Sequence, residues 1–394
     1  MAATIKEIAG DRFILWGANW SLYTAKVRPY LIKKGIEYVE LNPSHPHYFD
    51  SILPQIGHFT VPVLEMPDGK IVADSTEIME FLEPRFPDLP MLPEDKTLSA
   101  LAQLIHSYGS EGLTKPAMYL RWNTTFENRL FARNDFSRSV DTRAAREAAD
   151  HERSDAFAVA MRGFLPVLGI GLSHDVDVVV EASTERLYDT LNAHFLDYPY
   201  ILGGVPSLAD YGMMGALYAH HGRDVSSNNA MKVRAPALYR WIETMGRAPI
   251  VDPEVWHVPQ EFFAVDDLPE TLTAFLRLIA EDYVPEIVAT VDLYHRWLGA
   301  DERAAGTICD VEGTKRNHQV LGEIEHVQRG VTIKRIALLD SVNHHMRLQA
   351  AMDRMSEGEK QALNGILDSV GAQDLGKLHL SRDMKRHDYA HVLA

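Results

Sequence analysis

The sequence predicts an α/β domain followed by an all-α region, with a further helical portion at its C-terminal end. Three observations carry this prediction. Strand, helix and strand signals alternate over residues 12–41. Pro84, Pro87, Pro90 and Pro93 recur at every third position, a run that forbids helix and favours a stiff extended connection. From Leu98 onward, Leu101, Leu104, Ile105 and Tyr108 return at helical spacing.

The elements follow in order. Arg12–Trp16 reads as a short strand, Lys26–Lys34 as a helix closed by Gly35, and Ile36–Leu41 as a second strand. The next apolar run, Phe59–Leu64, contains Pro62. A proline cannot donate to a sheet ladder, so Pro62 is read as a cis-proline that turns the chain before an edge strand. Val61 is thereby left with an N–H and a C=O to offer an extended peptide. Lys70–Ala73 is another strand signal, and it gives way at Asp74-Ser75 to the helical run Ile78, Met79, Phe81, Leu82. Asp and Ser at such a junction cap a helix, and the free N–H groups there also attract a carboxylate.

The domain organisation expected is 1–83 for the α/β domain, 84–93 for the proline-rich linker, 94–251 for an all-helical domain and 252–394 for a helical extension. Asp141–Val167, Val180–Phe195 and Ala237–Met245 are helix candidates in the second domain. Residues 123–145, rich in Asn, Arg, Asp and Ser, interrupt its pattern as a lid or an insert. Ser207-Leu208-Ala209-Asp210 is a capping box for a buried helix running to His220; its Ser and Asp are structural. In the extension, Leu268–Leu298 marks one long helix kinked at Pro285, Ile336–Met355 a second, and Ser356–Glu359 caps a third.

Residues 12–83 resemble the thioredoxin-like N-terminal domain of the glutathione transferase superfamily. Tyr198–Tyr211 is similar to that superfamily's C-domain signature, so the resemblance covers roughly residues 10–250. The resemblance implies glutathione as co-substrate, a two-fold homodimer and the position of a catalytic Ser or Cys at Ser21. It also implies Val61, Pro62, Asp74 and Ser75 as the glutathione-binding residues. Asn19, Tyr23 and Thr24 are further donors within the same turn. Leu22 stands where a proline often follows the active residue, and Gln55–Thr60 is longer than the usual loop. The extension resembles that of some bacterial members, with no activity attached to it.

The chemistry expected at Ser21 is restricted. A thiol with a pKa near about 8.5 is mostly protonated at neutral pH, and a serine hydroxyl is too weak an acid to be the base. As a donor near a helix N-terminus, it can favour thiolate over thiol. The electrophile is expected between the domains, against Tyr108, Tyr119 and Trp122, with Trp16 and Trp20 opposite. Such walls suit an apolar or aromatic substrate. Conjugation, or lyase or isomerase chemistry on the same thiolate, is the first expectation; the second is a non-catalytic binding or assembly module on the same fold.

Composition narrows the field. A formal charge of −16 over 394 residues opposes nucleic acid and anionic membranes as partners. No apolar run is long enough to span a bilayer, and the first residues lack a secretion signal, so a cytoplasmic location is expected. The single cysteine, Cys309, disfavours mixed-disulfide chemistry at the active turn. Gly169-Ile170-Gly171 opens no dinucleotide fingerprint. His344-His345, His379, His387 and His391 lack a convincing ligand spacing and are expected at the surface or an interface, with no metal.

Overall fold

A computed structural model describes residues 4–122, 125–140, 149–316 and 318–394. The N-terminal portion runs α1 (Ile5–Ala9), β1 (Phe13–Trp16), α2 (Thr24–Lys33), β2 (Tyr38–Leu41), α3 (Leu53–Ile56), β3 (Val63–Glu65), β4 (Ile71–Ala73) and α4 (Ser75–Leu82). Its sheet is mixed, in the order β2-β1-β3-β4, with β2 parallel to β1 and the other pairs antiparallel. This is a thioredoxin-like domain. The right-handed crossover expected of a parallel pair is supplied by α2, which is capped by Lys34 and followed by Gly35 at φ +64°. The Val61–Pro62 peptide bond is cis.

A run of turns covers Pro84 to Pro93, in place of the extended connection expected; Leu208 N–H donates to Met91 C=O at 2.7 Å and ties this segment to the helices beyond it. Those helices are α5 (Lys96–Ser107), α6 (Thr114–Trp122), α7 (Phe126–Val140), α8 (Ala149–Arg162), α9 (His174–Asp197), α10 (Leu208–Ala216), α11 (Val225–Arg234) and α12 (Pro236–Met245). The polar stretch expected to interrupt the pattern is largely the helix α7, because Phe136 and Ala132 give it one buried stripe beside Trp122; residues 141–148 lie outside the described residues. Asp210 accepts from Ser207 N–H (2.9 Å), Ser207 Oγ–H (2.9 Å), Ile201 N–H (3.0 Å) and Trp241 Nε1–H (3.1 Å). The box at 207–210 is therefore structural, and α10 packs against α2 and α5. A Cβ on Gly109 would lie 2.6 Å from the Gly212 carbonyl carbon, so only glycine allows this approach.

The extension is not wholly helical, contrary to expectation. After α13 (Glu270–Asp282) and α14 (Val284–Ala300) come a hairpin, β5 (Val320–Gln328) and β6 (Val331–Leu338), then α15 (Leu339–Asp353), α16 (Glu357–Val370) and a second hairpin, β7 (Met384–His387) and β8 (Ala390–Leu393). Ile336–Leu338 belong to a strand. The break between α13 and α14 falls at Tyr283, φ −131°, with Pro285 in the first turn of α14. Of the histidines expected at the surface or an interface, His379 and His387 are exposed, whereas His344, His345 and His391 are buried.

A buried charge network holds the extension in place. Glu286 of α14 accepts from Lys115 Nζ of α6 at 2.6 Å and from Arg335 of β6 at 2.5 Å. Lys115 also donates to Gln328 of β5 at 3.1 Å. Burial alone would raise the Glu286 carboxyl; Arg335, Lys115 and His326 outweigh it and bring the pKa down to about 2. Removing one member of such a set leaves the other charges buried and unpaired. Glu286→Gln is expected to lower unfolding stability by about 3–5 kcal/mol at neutral pH, measured by denaturant melts. Because the folded carboxyl titrates below its unfolded value, this stabilisation is present above the unfolded pKa and is lost as pH falls toward about 2. The variant's stability is expected to depend less steeply on pH across that acid range than the parent's.

Candidate functional site

The turn between β1 and α2 carries Ser21 to the entrance of α2. Its Oγ accepts from Thr24 N–H at 3.2 Å, a local capping contact that leaves the hydroxyl hydrogen free to donate elsewhere. Ser21 is 5% exposed, yet it lines a cavity of about 290 Å³, close to the lower end of the size range for small-molecule sites. Trp20, Phe59, Met118, Trp122, Phe136 and Leu338 supply most of its apolar wall.

Asp74 stands at φ +87° between β4 and α4, and its Oδ1 accepts from the N–H groups of Thr76 (2.8 Å) and Glu77 (3.3 Å). The cap predicted for this helix is thus Asp74. Its other oxygen, Oδ2, lies 3.5 Å from Arg386 of β7. Burial would raise the Asp74 carboxyl, but Arg386 and then Lys26 hold it below its ordinary value. Ser75 is buried and its Oγ has no hydrogen-bond partner among the described residues. No hydrogen bond of the Val61 backbone is present among those residues either. Unpartnered buried polar groups are rare and costly in folded proteins.

Val61, Pro62, Asp74 and Ser75 meet around one polar cavity of about 30 Å³, room for a water molecule or two. Val61, Thr60, Tyr23 and His318 line both this niche and the apolar cavity, so the two spaces adjoin. Ser21 borders only the larger one. The niche is narrowed by the extension: His318, Asp340, Asn343, His344 and Arg386 all border it. Arg347 of α15 reinforces the contact by donating to Glu77 (2.7 Å) and Glu80 (2.7 Å) of α4.

Of the walls expected for an electrophile, Trp122 and Trp20 line the apolar cavity. Tyr108 does not: it packs against Phe275 and Tyr283 and borders a separate space of about 20 Å³. Tyr119 turns its hydroxyl to Glu181 at 2.7 Å, and Trp16 is sealed in the sheet core with its Nε1–H on Glu65 at 2.8 Å. Helical spacing placed Tyr108 and Tyr119 on or just after the first helix of the second domain but could not tell which way each side chain faced. Asn19 is exposed and accepts from Arg28 at 3.2 Å. Tyr23 reaches both spaces, and its phenol is pushed well above the ordinary value by burial and then by Glu111, Asp340 and Asp74, which makes it a poor phenolate.

Several groups at this site have no signal in the sequence. Lys26 is buried with its Nζ on Ser110 Oγ at 2.8 Å, and burial draws its pKa down to about 8 against the pull of Asp74 and Glu111. Burial, with Asp340, drives the Glu111 carboxyl well above its usual range. His318 Nδ1 lies 3.2 Å from Asp340 Oδ2. The folding of the extension over α4 adds His318 and Asp340 to this set.

Residues 15–90 match the family model described as the glutathione S-transferase N-terminal domain. That match is confined to the N-terminal domain. Among solved structures it is similar to a glutathione S-transferase from Rhodospirillum rubrum, at 15% identity over 60% of this chain and 89% of that one, TM-score 0.37. A glutathione S-transferase from Methylobacterium radiotolerans, in complex with glutathione sulfonate, shares 23% identity over 66% of this chain and 100% of that one, TM-score 0.33. A glutathione transferase from Phanerochaete chrysosporium shares 18% over 59% and 96%, TM-score 0.40. No curated protein matches the chain. No helix among the described residues is long and apolar enough to cross a membrane.

The unpartnered Ser75 hydroxyl has a testable consequence. Deleting a buried hydroxyl that bonds nothing removes a desolvation cost, so Ser75→Ala is expected to leave thermal stability unchanged or raise it by up to about 1–3 kcal/mol. Asp74→Ala, which removes the helix cap, is expected to cost at least about 0.5–2 kcal/mol. Calorimetric melting of both variants checks the contrast.

Proposed function

We propose that this protein is a glutathione-dependent transferase that joins the thiol to an apolar or aromatic electrophile, or uses the same thiolate as a lyase or isomerase. The observation that carries the reading is the set of groups around the niche: the Val61 backbone and Ser75 Oγ, which have no hydrogen-bond partner among the described residues, and Asp74 Oδ2, which faces Arg386 at 3.5 Å. Their chemistry matches an extended γ-glutamyl peptide. Val61 pairs with the peptide backbone as a sheet edge does, Ser75 and the α4 N-terminus take the carboxylate, and Asp74 takes the ammonium. Ser21 donates its hydroxyl hydrogen to the sulfur, with the electrophile in the adjoining cavity beside Trp20 and Trp122.

A tripeptide exceeds the roughly 30 Å³ of the closed niche. In this reading Arg386 holds the place of the ligand's ammonium opposite Asp74 and yields it when glutathione enters. Binding then requires the β7–β8 hairpin to shift away from α4. We assign residues 1–83 to glutathione binding, 84–93 to the linker and 94–251 to the helical domain. Residues 252–394 cover the site. A cytoplasmic homodimer acting in detoxification is consistent with this assignment.

The second reading, a non-catalytic binding or assembly module, is favoured by that same closure. The two are separated by measuring retention on immobilised glutathione and conjugation to an activated aryl chloride. Under the first reading the protein binds and reacts. Ser21→Ala loses one charge-assisted hydrogen bond of about 1.5–3 kcal/mol, so kcat/KM falls about ten- to hundred-fold. Protein that is retained but shows no conjugation, with Ser21→Ala identical to the parent, supports the module instead. Arg386→Ala is expected to lower the KM for glutathione by removing the competing cation, read from the same assay.

A further inference from the structure

We infer that His318, oriented by Asp340, accepts the thiol proton, so that the C-terminal extension supplies the base that Ser21 cannot be. The inference rests on the glutathione-dependent reading above and adds to it a residue from outside the two domains that the resemblance covers.

The geometry is that of an oriented imidazole. His318 lies just before β5 and borders both the polar niche and the apolar cavity, the boundary where a sulfur placed between Ser21 and Val61 would sit. Its Nδ1 is 3.2 Å from Oδ2 of Asp340, in the first turn of α15. Burial would raise the Asp340 carboxyl, but the hydrogen bond and charge of His318, with His391 and Arg386, hold it well below the ordinary range. An ionised carboxylate only accepts, so the neutral ring carries its proton on Nδ1 and leaves Nε2 as the acceptor. The Tyr23 ring lies beside the imidazole, centroids 6.0 Å apart and planes tilted by 40°. Asp340 then stabilises the imidazolium formed when Nε2 takes a proton.

The step balances without a further reagent. The S–H bond breaks and its proton passes to Nε2. The electron pair left on sulfur forms the new C–S bond as chloride departs from an activated aryl chloride with the C–Cl pair. With an unsaturated acceptor, His318 returns the proton to the product. Other titratable groups border the niche with the imidazole, from each neighbouring element. α15 brings Asp340 and His344, the start of α2 brings Tyr23 and Lys26, and the π-helical turn at 108–112 brings Glu111. Asp74 and Arg386 complete the surroundings as the mutually paired charges of the niche, and His58 stands nearby in the loop before Phe59.

The test uses the full-length protein, His318→Gln and Asp340→Asn, with glutathione and S-methylglutathione as probes. The His318 side chain is 28% exposed, so His318→Gln leaves the core packing intact, and S-methylglutathione affinity reports the folded site in both variants. The expectation is unchanged S-methylglutathione affinity and loss of the ultraviolet thiolate band of bound glutathione at neutral pH. For His318→Gln, kcat is expected to fall by about a hundred-fold or more, with the rate recovering as pH rises through thiol ionisation. Asp340, a positioning residue, is expected to give a smaller fall with the same pH shift. Wild-type thiolate absorbance and rate in His318→Gln would overturn the inference while leaving glutathione dependence intact, as would equal loss of affinity for both ligands. Failure of the parent protein to bind either ligand would remove the underlying reading and the role of His318 together.

Discussion

The structure depends on one buried carboxylate. Glu286 accepts from Lys115 of α6 and Arg335 of β6, and so joins a helix of the second domain, a helix of the extension and the first hairpin at a single point. Three charges removed from water tolerate little displacement, because each is stabilised only by the others. With the hairpin pinned there, Leu338 is set into the wall of the apolar cavity. His318 precedes the hairpin and Asp340 follows it, so the same anchor fixes both.

A second constraint acts at Asp74. One carboxylate oxygen satisfies the first free N–H groups of α4, and the other faces whatever cation occupies the niche. In the closed arrangement that cation is Arg386. The N-terminal domain therefore supplies one side of the niche, and the extension supplies the other with groups of its own. The site is a joint construction of two parts of the chain separated by more than two hundred residues.

The N-terminal domain was largely legible because its signals are local. Strand lengths, the glycine after α2, the proline beside Val61 and the Asp-Ser junction each act over a few residues, and the turn and cap chemistry there tolerates few alternatives. The Ser207–Asp210 box was legible for the same reason. The hairpin β5–β6 was not. Its inward positions include His326, Gln328 and Arg335, polar residues that a period-two search reads as solvent-facing. The apolar residues at the end of β6 run directly into those of α15, so strand and helix merged into one apparent helix. The buried histidines misled in a related way, since a histidine is read as a surface residue unless its enclosing partners are known.

The sequence by itself determined the thioredoxin-like fold, the cis bond between Val61 and Pro62 and the capped start of α4, because these rest on backbone conformation and on neighbours within a few positions. Tertiary structure alone decided which aromatic residues face the cavity, that Tyr108 and Tyr119 do not, and that Arg386, His318 and Asp340 stand at the site. Those facts follow from long-range packing, in which side chains with weak local preferences are placed by the charges and surfaces they meet.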